Sequence, residues 1–168
     1  MSCDAPRMGS RCVQRPMCRV VSGIGALAGL LRPKQTVDSV KDIDYEQLRE
    51  RGISGLLFDL DNTLGPRRPC RLTPSVLALL QRLEVMGFRV GVLSNRRGVG
   101  DPVIDELAEQ FPLLQRAGKP RRAGFRALLD ELGVAPPHAA MIGDRYLTDV
   151  IGANRMGMLS IRVRRRPE

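Results

Sequence analysis

The stretch GLLFDLDNTLGPRRP, residues 55–69, decides the fold. The apolar run from Ile53 to Phe58 reads as a buried β-strand. It runs straight into Asp59 and, one residue further, Asp61. Strand side chains have period two, so both carboxylates point to the same side while the strand lasts. Like charges that close repel each other, and the arrangement is costly unless a cation or a reaction uses it.

Outward from this strand, the chain alternates. Residues 59–72 read as a polar loop containing Pro66 and Pro69. Thr73 and Pro74 open a helix with an apolar stripe at Val76, Leu79, Leu80, Leu83 and Met86. FRVGVLS, 88–94, is a second strand, and Asp101-Pro102 starts another helix. PLLQRA, 112–117, is a short third strand, and 121–132 a helix closed by Gly133. AAMIG, 139–143, is a fourth strand, 146–156 a helix, and MLSIRV, 158–163, a fifth strand. Strands alternating with helices predict an α/β fold with a parallel sheet covered on both faces. Ligands bind such sheets beyond the carboxyl ends of the strands.

The polar residues fall at those ends. Asp59, Asp61 and Thr63 follow the first strand, Ser94 and Asn95 the second, Lys119 the third, and Asp144 the fourth, with Asp149 five residues on. This set suits phosphoryl transfer, which needs positioning and electrostatics more than covalent chemistry from the protein. Asp59 is the candidate nucleophile, and Asp61 the group that protonates the leaving oxygen and then deprotonates water. A hard cation with oxygen ligands, Mg²⁺ by preference, would sit between Asp59 and Asp144. Thr63, Ser94, Asn95 and Lys119 are candidates to hold phosphate oxygens. A calcium loop of the EF-hand type would need Gly at 64 and Glu at 70, where Leu64 and Cys70 stand. No P-loop pattern occurs.

DLDNT, LSN, GKP and GDRYLTD, in that order, resemble the four motifs of the haloacid-dehalogenase-like (HAD) phosphatases. The resemblance covers residues 53 to 163. It implies a Rossmann-like three-layer sandwich with a parallel five-stranded sheet, the first strand central, and no cap domain. It implies further that the main-chain carbonyl of Asp61 joins Asp59 and Asp144 as a metal ligand, with Asp149 behind them. The upstream segment from Leu30 to Ser54 extends the resemblance to the YqeG-type subgroup of subclass IIIA, which also contains mitochondrial phosphatidylglycerophosphate phosphatases.

Spacing bears on the substrate. Asp59 to Ser94 spans 35 residues and Ser94 to Lys119 spans 25, each filled by the elements already named. No room is left for a folded lid, and an open site suits a large or embedded substrate. Arg67, Arg68, Arg71, Arg96, Arg97, Arg121, Arg122 and Arg145 all adjoin strand-end motifs, so all eight are expected at the active-site edge. Arginine's planar fork binds two phosphate oxygens, which points to an acidic substrate or surface.

Net charge is +9 in 168 residues, concentrated at the ends: +5 in residues 1–34, +3 in 162–168 and +1 between. Basic ends favour acidic lipid or nucleic acid. Scarce aromatics (two Tyr, four Phe, no Trp) disfavour base stacking on RNA. Residues 1–20 are expected as an unstructured basic tail, with Met8 or Met17 as alternative starts. Residues 21–52 are expected as a helical segment, 53–163 as the phosphatase domain and 164–168 as a basic end. Within 20–31, VVSGIGALAGLL is too short to span a bilayer but suits a helix lying on a membrane surface or docked on the protein's own core. Cys3, Cys12, Cys18 and Cys70 match no zinc spacing and read as free thiols of a reducing cytoplasm. The leading reading is a magnesium-dependent phosphomonoesterase acting on a phospholipid headgroup at an inner membrane face. A phosphatase of soluble esters or phosphoproteins and an RNA- or ribosome-binding module stay open beside it.

Overall fold

A computed structural model describes residues 29–67, 72–97 and 101–164. The expected tail, most of the 20–31 segment, all four cysteines, Arg68, Arg71 and residues 165–168 lie outside the described residues. Six strands run β1 (Gln35–Val37), β2 (Gly55–Phe58), β3 (Arg89–Leu93), β4 (Leu113–Leu114), β5 (Ala139–Gly143) and β6 (Leu159–Val163). They form one parallel sheet in the order β1-β6-β5-β2-β3-β4. β2, the strand of the opening quotation, is central, and all four of its residues are buried.

Period-two alternation sorts the sheet's side chains onto two faces. Leu56, Phe58, Val90, Val92, Ala140 and Ile142 share a core with α1 (Tyr45–Glu50), α2 (Pro74–Val85) and α3 (Pro102–Gln110). Leu57, Leu93, Ala139 and Met141 pack on the other side against α4 (Arg122–Leu132) and α5 (Ile151–Met156). This explains why β2 and β5 read as continuous apolar runs: neither face of them meets water. Local signals set the helix ends. The Asp44 carboxylate accepts from Gln47 N at 2.9 Å to cap α1, and Asp101 accepts from Val103 N at 3.2 Å to cap α3. Gly133 ends α4 in the left-handed region at φ +67°.

Three expectations need correction. The sheet has six strands, not five. The additional strand, β1, lies inside the segment expected to be helical, and it pairs with β6 through Gln35↔Ile161 and Val37↔Val163. Three residues, QTV, at a half-covered sheet edge carry too little apolar pattern to announce a strand. The third strand is two residues long, Leu113 and Leu114, rather than 112–117. The expected helix 146–156 is two pieces: a wide turn, Tyr146–Val150, precedes α5. In that turn Val150 N donates to Arg145 O, five residues back, at 3.3 Å.

Register aligns the strand ends. Phe58 pairs with Val92 on one side and Ile142 on the other, so β2, β3 and β5 release their polar residues at one edge. No inserted domain covers that edge among the described residues.

Candidate active site

Asp59 leaves β2 with its backbone still held, Asp59 N donating to Ile142 O at 2.8 Å. It is 6% exposed. Lys119, also 6% exposed, sits between two carboxylates: its Nζ donates to Asp59 Oδ1 at 2.5 Å and to Asp149 Oδ1 at 2.8 Å. Asn95 fixes the Lys119 backbone from both directions: Lys119 N donates to Asn95 Oδ1 at 2.8 Å, and Asn95 Nδ2 donates to Lys119 O at 3.0 Å. So the end of β3 holds the segment that carries the lysine.

Asp149 is held from several sides. Its Oδ2 accepts from Arg145 N at 3.1 Å, and its Oδ1 accepts from the Thr148 hydroxyl at 3.2 Å. The carboxylate lies against Gly143, where an added Cβ would come within 2.4 Å of Asp149 Oδ2. No real Cβ tolerates that contact, so glycine at the end of β5 is a condition for Asp149's position. The wide turn then returns the chain so that Asp149 faces inward.

Asp59, Asp144 and Asp149 each offer a carboxylate oxygen, all within 4.8 Å of one another. Three hard oxygen donors this close fit a divalent cation such as Mg²⁺. The electrostatics agree. The Asp59 carboxyl is pushed up to about 7: burial raises it most, Lys119 pulls it down, and Asp149 and Asp144 raise it, with about 7 the net result. Burial would lower the Lys119 ammonium, but the Asp59 and Asp149 carboxylates outweigh it and hold its pKa above the ordinary value.

A polar cavity of about 80 Å³ opens over this cluster, lined by Asp59, Asp61, Asn62, Arg67, Asn95, Arg96, Lys119, Arg145 and Thr148. Asp61 faces Arg96 at 3.8 Å and Arg67 at 4.0 Å. Arg96 is braced by Asp101 at 3.1 Å and donates to the Arg67 carbonyl at 2.9 Å. Thr63 Oγ1 lies 3.5 Å from Asp59 Oδ2. Ser94 is buried, and its Oγ accepts from Arg96 N at 3.1 Å.

The eight arginines divide. Arg67, Arg96 and Arg145 line the cavity, and Arg97 and Arg121 are exposed without lining it. Arg122 departs from expectation: it lines a different, larger cavity with Arg126, because residues four apart share a face of α4. Sequence reasoning missed Asn62, Thr148 and Asp101. Asn62 adopts φ +63° in the turn after Asp61, and its Nδ2 lies 3.5 Å from Asp144 Oδ2. Asn62 and Thr148 stood inside the quoted motifs, so their placement was legible there. The Asp101 brace on Arg96 had no sequence signal beyond its helix cap.

Comparison with known proteins decides the family. The chain is 30% identical over 131 residues to the probable phosphatase YqeG of Bacillus subtilis, covering 78% of this chain and 76% of that protein. The chain belongs to the haloacid-dehalogenase-like phosphatases. A HAD-hydrolase-like family model matches residues 116–165 of this HAD phosphatase. The chain is also 34% identical over 147 residues to phosphatidylglycerophosphate phosphatase 1, chloroplastic, of Chlamydomonas reinhardtii, covering 83% of this chain. It spans about half of that relative's length, 55%. The fold resembles the crystal structure of a HAD phosphatase from Thermococcus onnurineus, with TM-score 0.50 and 24% identity, over 76% of this chain and 56% of that one. Among the described residues no helix is long and apolar enough to cross a membrane.

Proposed function

We propose that this HAD phosphatase is a magnesium-dependent phosphomonoesterase working through an aspartyl-phosphate, with phosphatidylglycerophosphate as its substrate. The observation that carries the reading is the buried trio Asp59–Lys119–Asp149 beside Asp144, assembled from three separate strand ends. Asp59 and Asp144 would hold the cation with the Asp61 carbonyl. When bound, it would offset their charge and that of the phosphoryl oxygens.

In the first half-reaction a carboxylate oxygen of Asp59 attacks phosphorus. The bond to the ester oxygen breaks, and Asp61 gives that oxygen its proton, releasing the alcohol. In the second, Asp61 takes a proton from water, the water oxygen attacks phosphorus, and the acyl-phosphate bond breaks. Phosphate leaves and Asp59 is restored. Lys119 holds Asp59 in line and adds positive charge where negative charge builds up. Its second partner, Asp149, keeps the ammonium in place. Thr63, Ser94 and Asn95 would supply polar contacts to the phosphoryl group, and Arg67, Arg96 and Arg145 a cationic surround for it.

Support for the substrate comes from the activity named for the Chlamydomonas relative and from those arginines at an edge where the described residues form no lid. The test is phosphate release with Mg²⁺ from phosphatidylglycerophosphate in vesicles, beside a panel of soluble phosphate esters. Faster turnover of a soluble ester would replace the lipid reading. An active Asp59→Asn protein would remove the nucleophile assignment.

A further inference from the structure

Among the described residues four large apolar side chains are exposed, and two of them are consecutive: Tyr146, 41% exposed, and Leu147, 67% exposed. Their place is specific. Arg145 before them and Thr148 after them both line the carboxylate cavity. Tyr146 and Leu147 therefore stand on the rim of the site, on the wide turn between Asp144 and Asp149. The turn is anchored on its inner side, since Asp149 is 2% exposed and held by Lys119. It is anchored over the sheet too: the Arg162 guanidinium stacks on the Tyr146 ring, 4.2 Å from its centroid. Arg162 pairs in register with Gly143, which puts this stack at the sheet's carboxyl edge.

Leaving Leu147 in water forfeits much of the favourable transfer that burying a leucine brings. Nothing in the mechanism uses the side chain. Around the cavity mouth stand Arg145, Arg67 and Arg96, the last two also facing Asp61, and Arg162 stacks on Tyr146; Arg164, further along, is paired with Asp38 at 3.3 Å. An apolar tip, an aromatic ring with a polar hydroxyl, and a collar of guanidinium groups together match the interface of an anionic bilayer. Acyl chains would accept the leucine, the headgroup level suits tyrosine, and the phosphates suit arginine.

We infer that the Tyr146–Leu147 turn is an interfacial contact that dips into an anionic phospholipid surface and sets the cavity mouth against the headgroups. This rests on the lipid reading of the site and deepens it by naming the surface that meets the bilayer.

The test measures partition of the full chain onto vesicles of phosphatidylglycerol and phosphatidylcholine, by sedimentation, without substrate. Leu147→Asp should lower partition roughly tenfold, the scale of leaving one leucine side chain in water, with the unfolding midpoint unchanged. Leu147→Trp should raise it, a gain that no folding defect produces. Wild-type partition retained by Leu147→Asp would overturn the inference, as would a wild-type chain that ignores anionic vesicles. If Leu147→Asp lowers the unfolding midpoint, Leu147→Trp decides: a rise supports the contact, and no rise overturns it. A Leu147→Asp chain that keeps its vesicle binding but loses self-association would assign the turn to a second copy instead, also against the inference. Vesicle binding that depends on Leu147, in a chain that leaves phosphatidylglycerophosphate intact, would keep the contact and remove the substrate.

Discussion

Two cavities in this molecule invite comparison. The larger, about 570 Å³, is bordered by α4, the loop after it and the end of α5, with Arg122, Arg126, Leu129, Val134, Arg155 and Met156 among its lining. The smaller, about 80 Å³, covers the carboxylates at the strand ends. The larger has room and positive charge, but its arginines are exposed and their fields are screened by water. The smaller has Asp59, Lys119 and Asp149 buried together, a placement that folding alone would not reward. Burial of paired, opposed charges at converging strand ends is the better mark of function than volume.

The largest effect expected from that contrast is at Asp59. Asp59→Asn should lower phosphate release by at least about 10³-fold while the fold survives, checked by turnover and circular dichroism. Next is Lys119→Met, which removes one donor to the reacting centre and should lower turnover about 10²- to 10³-fold. It should also destabilise the chain by about 3 kcal/mol in urea titration, since Asp59 and Asp149 then face each other without their cation. Turnover and stability both unchanged in Lys119→Met would erase the distinction between the two cavities.

Gly143→Ala tests the same site indirectly. A Cβ there would collide with Asp149 Oδ2 at 2.4 Å, so Asp149 must move and Lys119 loses a partner. Turnover should fall about 10- to 10²-fold, the range for a displacement near 1 Å. A variant with full activity would mean that Asp149 does not position the lysine.

These residues also show what the sequence could carry. β2 and β5 were legible because a strand buried on both faces is an unbroken apolar run, and the acids after it mark its exit. Asp59, Asp61 and Asp144 follow from those exits, and Ser94 and Lys119 from the exits of β3 and the short β4. β1 was not legible: its pairing is made by main-chain groups, which QTV does not advertise. The wide turn at Tyr146–Val150 was read as plain helix, because apolar spacing over five residues does not separate a four-residue from a five-residue hydrogen-bond step. Arg122 adjoins Lys119 in the chain, but helix geometry turns it onto the α4 groove.

A smaller effect is expected from pH. Because burial raises Asp59 to about 7, its folded carboxyl holds a proton that the unfolded chain, with an ordinary carboxylate near 4, has lost. This group's stabilisation is therefore full below about pH 4 and is lost as pH rises through 7. Mg²⁺ would need the ionised form, so at pH 6 it competes with the proton. The rise in unfolding midpoint on adding Mg²⁺ should be larger at pH 8 than at pH 6, measured by calorimetry. An equal rise at both would place the cation away from Asp59.

The smallest effect belongs to the larger cavity, and it is the one that can break the comparison outright. Arg126 and Arg155 are exposed, and no ion pair involves either among the described residues. Surface charges of this kind contribute within about 0.5 kcal/mol. Arg126→Ala and Arg155→Ala should therefore leave stability inside that margin and phosphate release within about twofold of wild type. The reason is geometric as well as electrostatic. The larger cavity is lined by α4, the loop 133–136 and the end of α5, and it shares no lining residue with the small cavity over the carboxylates. A tenfold fall in either variant would mean that the groove holds part of the substrate, and the chemistry would then extend well beyond the small cavity over Asp59.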